Sequence, residues 1–214
     1  MEALFESLTA QKIPALKALG AERIRACVRD SHVAPAADLC IGQRASETWC
    51  YLALWVNSRV AHVGIRDILS PLASFLHGYA VAESEQLFHD FQPDGQRVTG
   101  MNEVVMFRKP DSLDRHDFLD TWLGSHTQIA IDTQSTFGYV QNIVGDTLDA
   151  DTPWFDSIVE ENFPDEAMTS QQAFYDAVGN PDLYREREKI MVESVMRFFD
   201  FESMERMPLS EYNF

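Results

Sequence analysis

The second half of this chain carries a small set of side chains whose types and spacing could do proton-transfer chemistry. His126 leads, because an imidazole titrates near neutrality and can take and return a proton within one turnover. It stands two residues past Gly124, which predicts the end of a helix, where the dipole favours the imidazolium form. The same position also suits a His that merely caps the last carbonyls. Asp156, Ile158, Glu160 and Asn162 alternate along an expected strand, so they share one face. A sheet face with two carboxylates is either the lining of a polar or liganded cavity or a solvated face near a rim. In the first case Glu160 orients His126 or acts as a second acid–base group beside Asp156.

A second expected strand places Phe137, Tyr139, Gln141 and Ile143 on one face and Gly138, Val140, Asn142 and Val144 on the other. Tyr139 and Gln141 could hold a substrate oxygen, whereas the plain alternative is a strand aromatic with its hydroxyl toward solvent. Trp122 lies four residues past Phe118, the spacing of a buried helical stripe, with substrate contact as its second reading. His32, His62, His77, His89 and His116 share no short spacing, and no H-E-x-x-H or C-x-x-C pattern occurs, so no metal is expected. The acidic run 111–120 lacks the Gly and terminal Glu of a calcium loop. No Gly-x-Ser-x-Gly elbow, P-loop or dinucleotide glycine fingerprint is present. Neither flavin nor nicotinamide is therefore expected.

Charge and composition narrow the partners. A formal charge of −17 repels phosphate backbones and anionic lipid surfaces, which argues against nucleic-acid and membrane binding. Cys27, Cys40 and Cys50 form an odd set without close spacing, consistent with reduced thiols. No long apolar run or basic leader appears, so a soluble cytoplasmic protein is the expectation.

The elements that must position these residues follow from an internal similarity. Glu83-Ser84 followed by Phe88, Asp90 and Phe91 recurs as Glu193-Ser194 followed by Phe198, Asp200 and Phe201, an offset of 193 − 83 = 110. In the second half, strands are expected over 103–107, 137–144 and 155–163, with a helix around Phe118 and Trp122. A second helix over 171–191 is broken at Gly179-Asn180-Pro181, and a closing strand covers 192–201. That order, β-α-β-β-α-β, is the ferredoxin-like one. The first half shows strands over 24–28 and 49–56, a helix over 65–76 and a strand ending at Phe91. An amphipathic helical stretch over 4–19 stands where an opening strand belongs. The segment 92–100 divides the halves, giving residues 1–99 and 100–214. A single such sheet leaves one face exposed, so the expected fold is α+β: two fused ferredoxin-like units closing face to face as an intramolecular α/β barrel with a cavity between them.

Phe107-Arg108-Lys109-Pro110 and the run Phe118 to His126 resemble the opening strand and helix of EthD-family proteins. Tyr139-Val140-Gln141-Asn142 and Phe155 to Glu160 are similar to the family's second and third strands, so the resemblance spans roughly 104–201. Thr127-Gln128 and Glu161-Asn162 depart from the family pattern. The resemblance implies a cofactor-independent lyase or isomerase acting on a hydrophobic oxygenated or aromatic small molecule, as in aromatic compound degradation. It makes His126 the acid–base group, with Glu160 and Asp156 in support and Tyr139, Gln141, Trp122 and Asn162 as substrate contacts. The alternatives are a non-catalytic binder of an apolar molecule and a haem-associated barrel. Fusion satisfies the barrel without forbidding a homodimer.

Overall fold

The computed structural model describes residues 2–89 and 92–214. The chain opens with helices α1 (Glu2–Ser7) and α2 (Ile13–Ala18), joined by a π-helical turn over Leu8–Lys12. Strands β1 (Ala21–Val28) and β2 (Cys50–Val56) flank a 3-10 stretch and the short helix α3 (Gln43–Glu47). Helix α4 (Ala61–Leu69) then leads to β3 (Tyr79–Leu87). The second half runs β4 (Met101–Arg108), α5 (Arg115–Thr121), a π-helical turn Trp122–His126, α6 (Thr127–Thr133), β5 (Gly138–Thr147) and β6 (Ser157–Phe163). It ends with α7 (Gln171–Phe174), α8 (Pro181–Val195) and β7 (Asp200–Asn213).

The strands form one seven-stranded sheet in the order β2-β1-β7-β4-β6-β5-β3, with every pairing antiparallel. Strand β7 is long enough to serve two partners: its stretch from Asp200 to Leu209 pairs with β4, and Ser210 to Asn213 pair with β1. The sheet curls strongly, because Glu83 on edge strand β3 comes within 3.6 Å of Arg25 on β1 near the other edge.

Side-chain alternation assigns the two faces. The outer face packs under helices: Phe107, Phe118, Trp122, Phe163 and Phe198 form one buried cluster there, and Leu8, Leu16 and Ile24 belong to a second. Each large apolar side chain removed from water in these layers contributes about 1.5–3 kcal/mol. The concave face carries a smaller apolar belt including Val104, Ile158, Met207 and Leu209, set among charged and amide side chains.

Three expectations are revised. Residues 193–195 complete α8 and β7 starts only at Asp200, so the closing strand lies further along the chain than 192–201. The apolar positions Met191, Val195 and Phe198 keep the i, i+4, i+7 spacing of a helix, whereas a strand would split them between its two faces, and the Asn180 cap with Pro181 behind it nucleates the helix. The repeated segments therefore have different conformations, strand for Glu83-Ser84 and helix for Glu193-Ser194, and Phe88 is 70% exposed where Phe198 is 1% exposed. The Asp90 and Phe91 positions of that repeat lie outside the described residues. Instead of two sheets face to face, a single sheet curls around its own concave side, with first-half strands on both edges.

Candidate functional site

The concave side encloses a cavity of about 1010 Å³ between the edge strands β2 and β3, walled by the α4 lobe. Its sides are largely apolar, with Met106, Ile158 and Met207 at mid-height and Tyr79 and Phe155 beyond them. Its inner end is polar, with Tyr51, Glu83 and Asn142 in the lining.

Glu160 sits behind that end and is 1% exposed. Its Oε1 accepts hydrogen bonds from Arg25 Nη2 at 3.0 Å, Asn142 Nδ2 at 2.9 Å and the Tyr51 hydroxyl at 3.1 Å. Arg25 Nε stands 2.7 Å from Oε2, an ionic contact off the N–H line rather than an aligned hydrogen bond. Burial alone would lower the Arg25 pKa, but Glu160, together with Cys27, Glu211 and Tyr51 behind it, reverses that and keeps the guanidinium charged. Tyr51 is held protonated, by burial first and by the Glu160 carboxylate second.

Deeper along the concave face, Glu211 accepts from the carboxamides of Asn102 (2.8 Å), Asn162 (2.7 Å) and Asn213 (2.8 Å). Asn162 fits there because Gly138 stands opposite: a Cβ at that position would meet Asn162 Oδ1 at 2.5 Å. The Cys27 thiol in the same layer is pushed up by burial and then by Glu211 and Glu160, so it stays protonated.

Glu83 differs from these groups. Its side chain is 23% exposed, lines the cavity and pairs with Arg25 at 3.6 Å. Burial lifts its carboxyl above the ordinary carboxylate range against the opposing pull of Arg25 and Arg23. A carboxyl so placed exchanges a proton closer to neutrality than a solvated one, the property general acid–base work requires.

The predicted residues divide between the two faces. Glu160 and Asn162 lie in the concave network, as their alternation implied. Asp156, nearer the start of that strand, accepts from Lys109 N at 3.0 Å and Trp154 Nε1 at 3.3 Å and stands 3.6 Å from Arg115, which anchors the loop after β4. His126, Trp122, Tyr139 and Gln141 lie on the convex side under the helices, so the sheet separates them from Glu160. Trp122 is fully buried among Phe107 and Phe118, and Gln141 Nε2 donates to Thr127 Oγ1 at 2.7 Å. Tyr139 belongs to the same core.

His126 is 7% exposed and packs on Phe198, with Nδ1 2.9 Å from Ser194 Oγ. Arg197 Nη2 donates to that oxygen, and the Ser194 hydroxyl can in turn donate to Nδ1, the arrangement that suits an imidazole with its proton on Nε2. Burial, then Arg197, depress its pKa to about 4, so at neutral pH it is uncharged. The expected imidazolium does not form: His126 lies inside a helical run that continues through α6 rather than at a helix end, and desolvation disfavours the charged ring.

A second ionic cluster lies on the convex face, where Glu103 and Glu161 are cross-strand neighbours and Arg206 contacts Glu103 at 2.6 Å. Burial and the Glu103 charge push Glu161 up to about 8.

Sequence reasoning passed over Arg25, Tyr51, Glu83 and Asn142. A usable signal existed in 23–28, where Arg23, Arg25 and Cys27 alternate with Ile24, Ala26 and Val28, charged on one face and apolar on the other. Among the described residues no group of three or more His, Cys, Asp or Glu could hold a metal ion, and no helix is long and apolar enough to cross a membrane. No family model and no curated protein matches the chain.

Proposed function

We propose that the cavity between β2 and β3 binds a hydrophobic, oxygenated small molecule and that the chain acts on it by proton transfer, as a lyase or isomerase. The observation that carries this is Glu83, a carboxyl raised above its usual range in the wall of a largely apolar cavity. Arg25, fixed by Glu160, holds Glu83 in place, while Tyr51 and Asn142 define the polar end against which a substrate oxygen rests. The proton-transfer role therefore moves from His126, where the family resemblance put it, to a residue of the first half.

The reading keeps the kinship expected from the sequence, an EthD-like pair of fused ferredoxin-like units. Its support is the second half, whose element order β4-α-β5-β6-α-β7 and strand order β7-β4-β6-β5 suit one such unit. The first half contributes three strands, split between the two sheet edges.

The test is deuterium exchange. Aryl β-hydroxyketones offer an acidic C–H and a leaving hydroxyl, so the protein in D₂O should wash label into the α-carbon, seen by NMR, and release the enone. Glu83→Gln should slow this by about 10²-fold. A second reading, a binding protein without turnover, is favoured by the complete engagement of Glu160 by its neighbours. Saturable binding of these ketones with exchange no faster than in buffer would establish that reading instead.

A further inference from the structure

The polar end of the cavity is unbalanced in its hydrogen bonding. Glu160 engages the Tyr51 hydroxyl proton, one Asn142 amide proton and the Nη2 and Nε side of the Arg25 guanidinium. What Tyr51 and Asn142 leave for the cavity is the Tyr51 oxygen lone pair, Asn142 Oδ1 and one amide proton, and Glu83 adds its carboxylate as the charged acceptor. A ketone or ether oxygen has no proton to donate to Glu83, and a carboxylate meets the charges of Glu83 and Glu160. An ammonium is opposed from the other side, since Arg25 lies 3.6 Å from Glu83 and Arg23 also acts on that carboxyl. A neutral group that donates a hydrogen bond satisfies all three constraints.

We infer that the cavity selects ligands by a neutral hydroxyl, donated to Glu83 with Tyr51 and Asn142 as flanking acceptors, and attached to an apolar body that fills the belt of Met106, Ile158 and Met207. This deepens the proposed function and rests on its choice of cavity. It narrows the substrate to an alcohol or phenol and, for a lyase, makes dehydration of a hydroxyl-bearing substrate the favoured reaction.

The experiment is a calorimetric titration of the full chain with four compounds on one skeleton: naphthalenemethanol, its methyl ether, the matching naphthoate and naphthylmethylamine. The alcohol should bind at least about tenfold more tightly than the ether, the scale of a hydrogen bond to a charged acceptor, with naphthoate and amine weaker still. In Glu83→Leu the alcohol should lose that advantage and fall to within about threefold of the ether, whose own affinity stays unchanged. If Glu83→Leu fails to fold, Tyr51→Phe and the wild-type ratio of alcohol to ether decide. Equal binding of alcohol and ether, or naphthoate or amine as the tightest ligand, overturns the hydroxyl selection while leaving the cavity as the site. Absence of binding by all four overturns the cavity and the proposed function together. Alcohol selection without deuterium exchange upholds this inference and removes only the proton-transfer reading.

Discussion

Replacing Arg25 by Met tests the physical centre of the site. Arg25 is 4% exposed and its partner Glu160 1%, so removing the guanidinium strands a carboxylate in a space that water barely reaches. Tyr51 and Asn142 still donate to Glu160, but neither carries charge. Breaking a buried ion pair from one side typically costs about 3–5 kcal/mol, because the remaining charge has lost its compensation. Glu83 adds little to that loss, since its side chain is 23% exposed and its contact with Arg25 is 3.6 Å. For a chain of this length the cost corresponds to a fall in melting temperature of about 6–20 °C. Chemical denaturation followed by circular dichroism supplies the free energy. Arg25→Met combined with Glu160→Gln should recover at least about 1 kcal/mol of the single variant's loss, because the stranded charge has gone while an acceptor for Tyr51 remains. A single variant within about 1 kcal/mol of the parent would match a solvated surface pair and refute the closed, dry floor. A double variant as unstable as the sum of its parts would refute the coupling.

Other outcomes follow from the convex face and from backbone geometry. His126 has its pKa lowered from 6.5 to about 4, so the unfolded chain binds the proton first; its contribution is full above pH 6.5 and is lost as pH falls toward 4, on the order of 3 kcal/mol. His126→Gln should flatten acid melts across that window. Glu161 is raised from 4.5 to about 8, so the sign reverses: its contribution is full below pH 4.5 and is lost as pH rises through 8, by up to about 5 kcal/mol. Glu161→Gln should therefore stabilise the protein more in alkaline than in mildly acidic buffer, read as the difference in melting temperature. Gly100 has φ +101° and a Cβ there would meet the Phe163 carbonyl oxygen at 2.1 Å. Gly100→Ala should cost about 2 kcal/mol or more in denaturant titration, and a neutral result would mean this crossing relaxes freely.

Much of the framework was legible because it depends on local periods. The strands at 24–28, 49–56, 103–107, 137–144 and 155–163 appear within a few residues of their observed ends, and the break at Gly179-Asn180-Pro181 separates α7 from α8. The closing strand was misplaced because the aromatic and apolar enrichment of 192–201 reads as strand, although Met191, Val195 and Phe198 keep helical spacing. Parity also sorted the faces within the strands: Glu160 and Asn162 share the concave side and Tyr139 and Gln141 the convex one, whereas Asp156 precedes β6 and bonds to the loop after β4. Parity is silent, however, about which side is covered by helices. A one-residue phase separates a cavity wall from a helix interface, and the choice rests on packing between segments distant in sequence.

The site itself was hidden for a related reason. Glu160 lies 135 residues from Arg25 and 109 from Tyr51, and these contacts exist because the final turn of pairing in β7, Ser210 to Asn213, carries the β1–β2 ribbon round to face β6. Nothing in the spacing of 21–28 encodes that placement; it depends on β7 continuing past its pairing with β4. The candidate residues read from the sequence all lie in the second half. In the folded chain the first half supplies the cation, the phenol and the exchangeable carboxyl, while the second half supplies Glu160 and Asn142, which hold them. Shortening that continuity should therefore separate function from fold. Leu209, Tyr212 and the end of β7 are buried, so deletion is too blunt, but Tyr212→Phe removes just the hydroxyl that donates to Asp30 at 2.7 Å and fastens β7 to the end of β1. Its expected cost is about 1–3 kcal/mol, the range for a hydrogen bond to a charged acceptor. Ligand affinity in the cavity should weaken with it, because the lost bond ties down the strand that aligns Arg25 with Glu160. Undiminished affinity in a destabilised Tyr212→Phe would show that the two halves are held in register by the ionic floor itself.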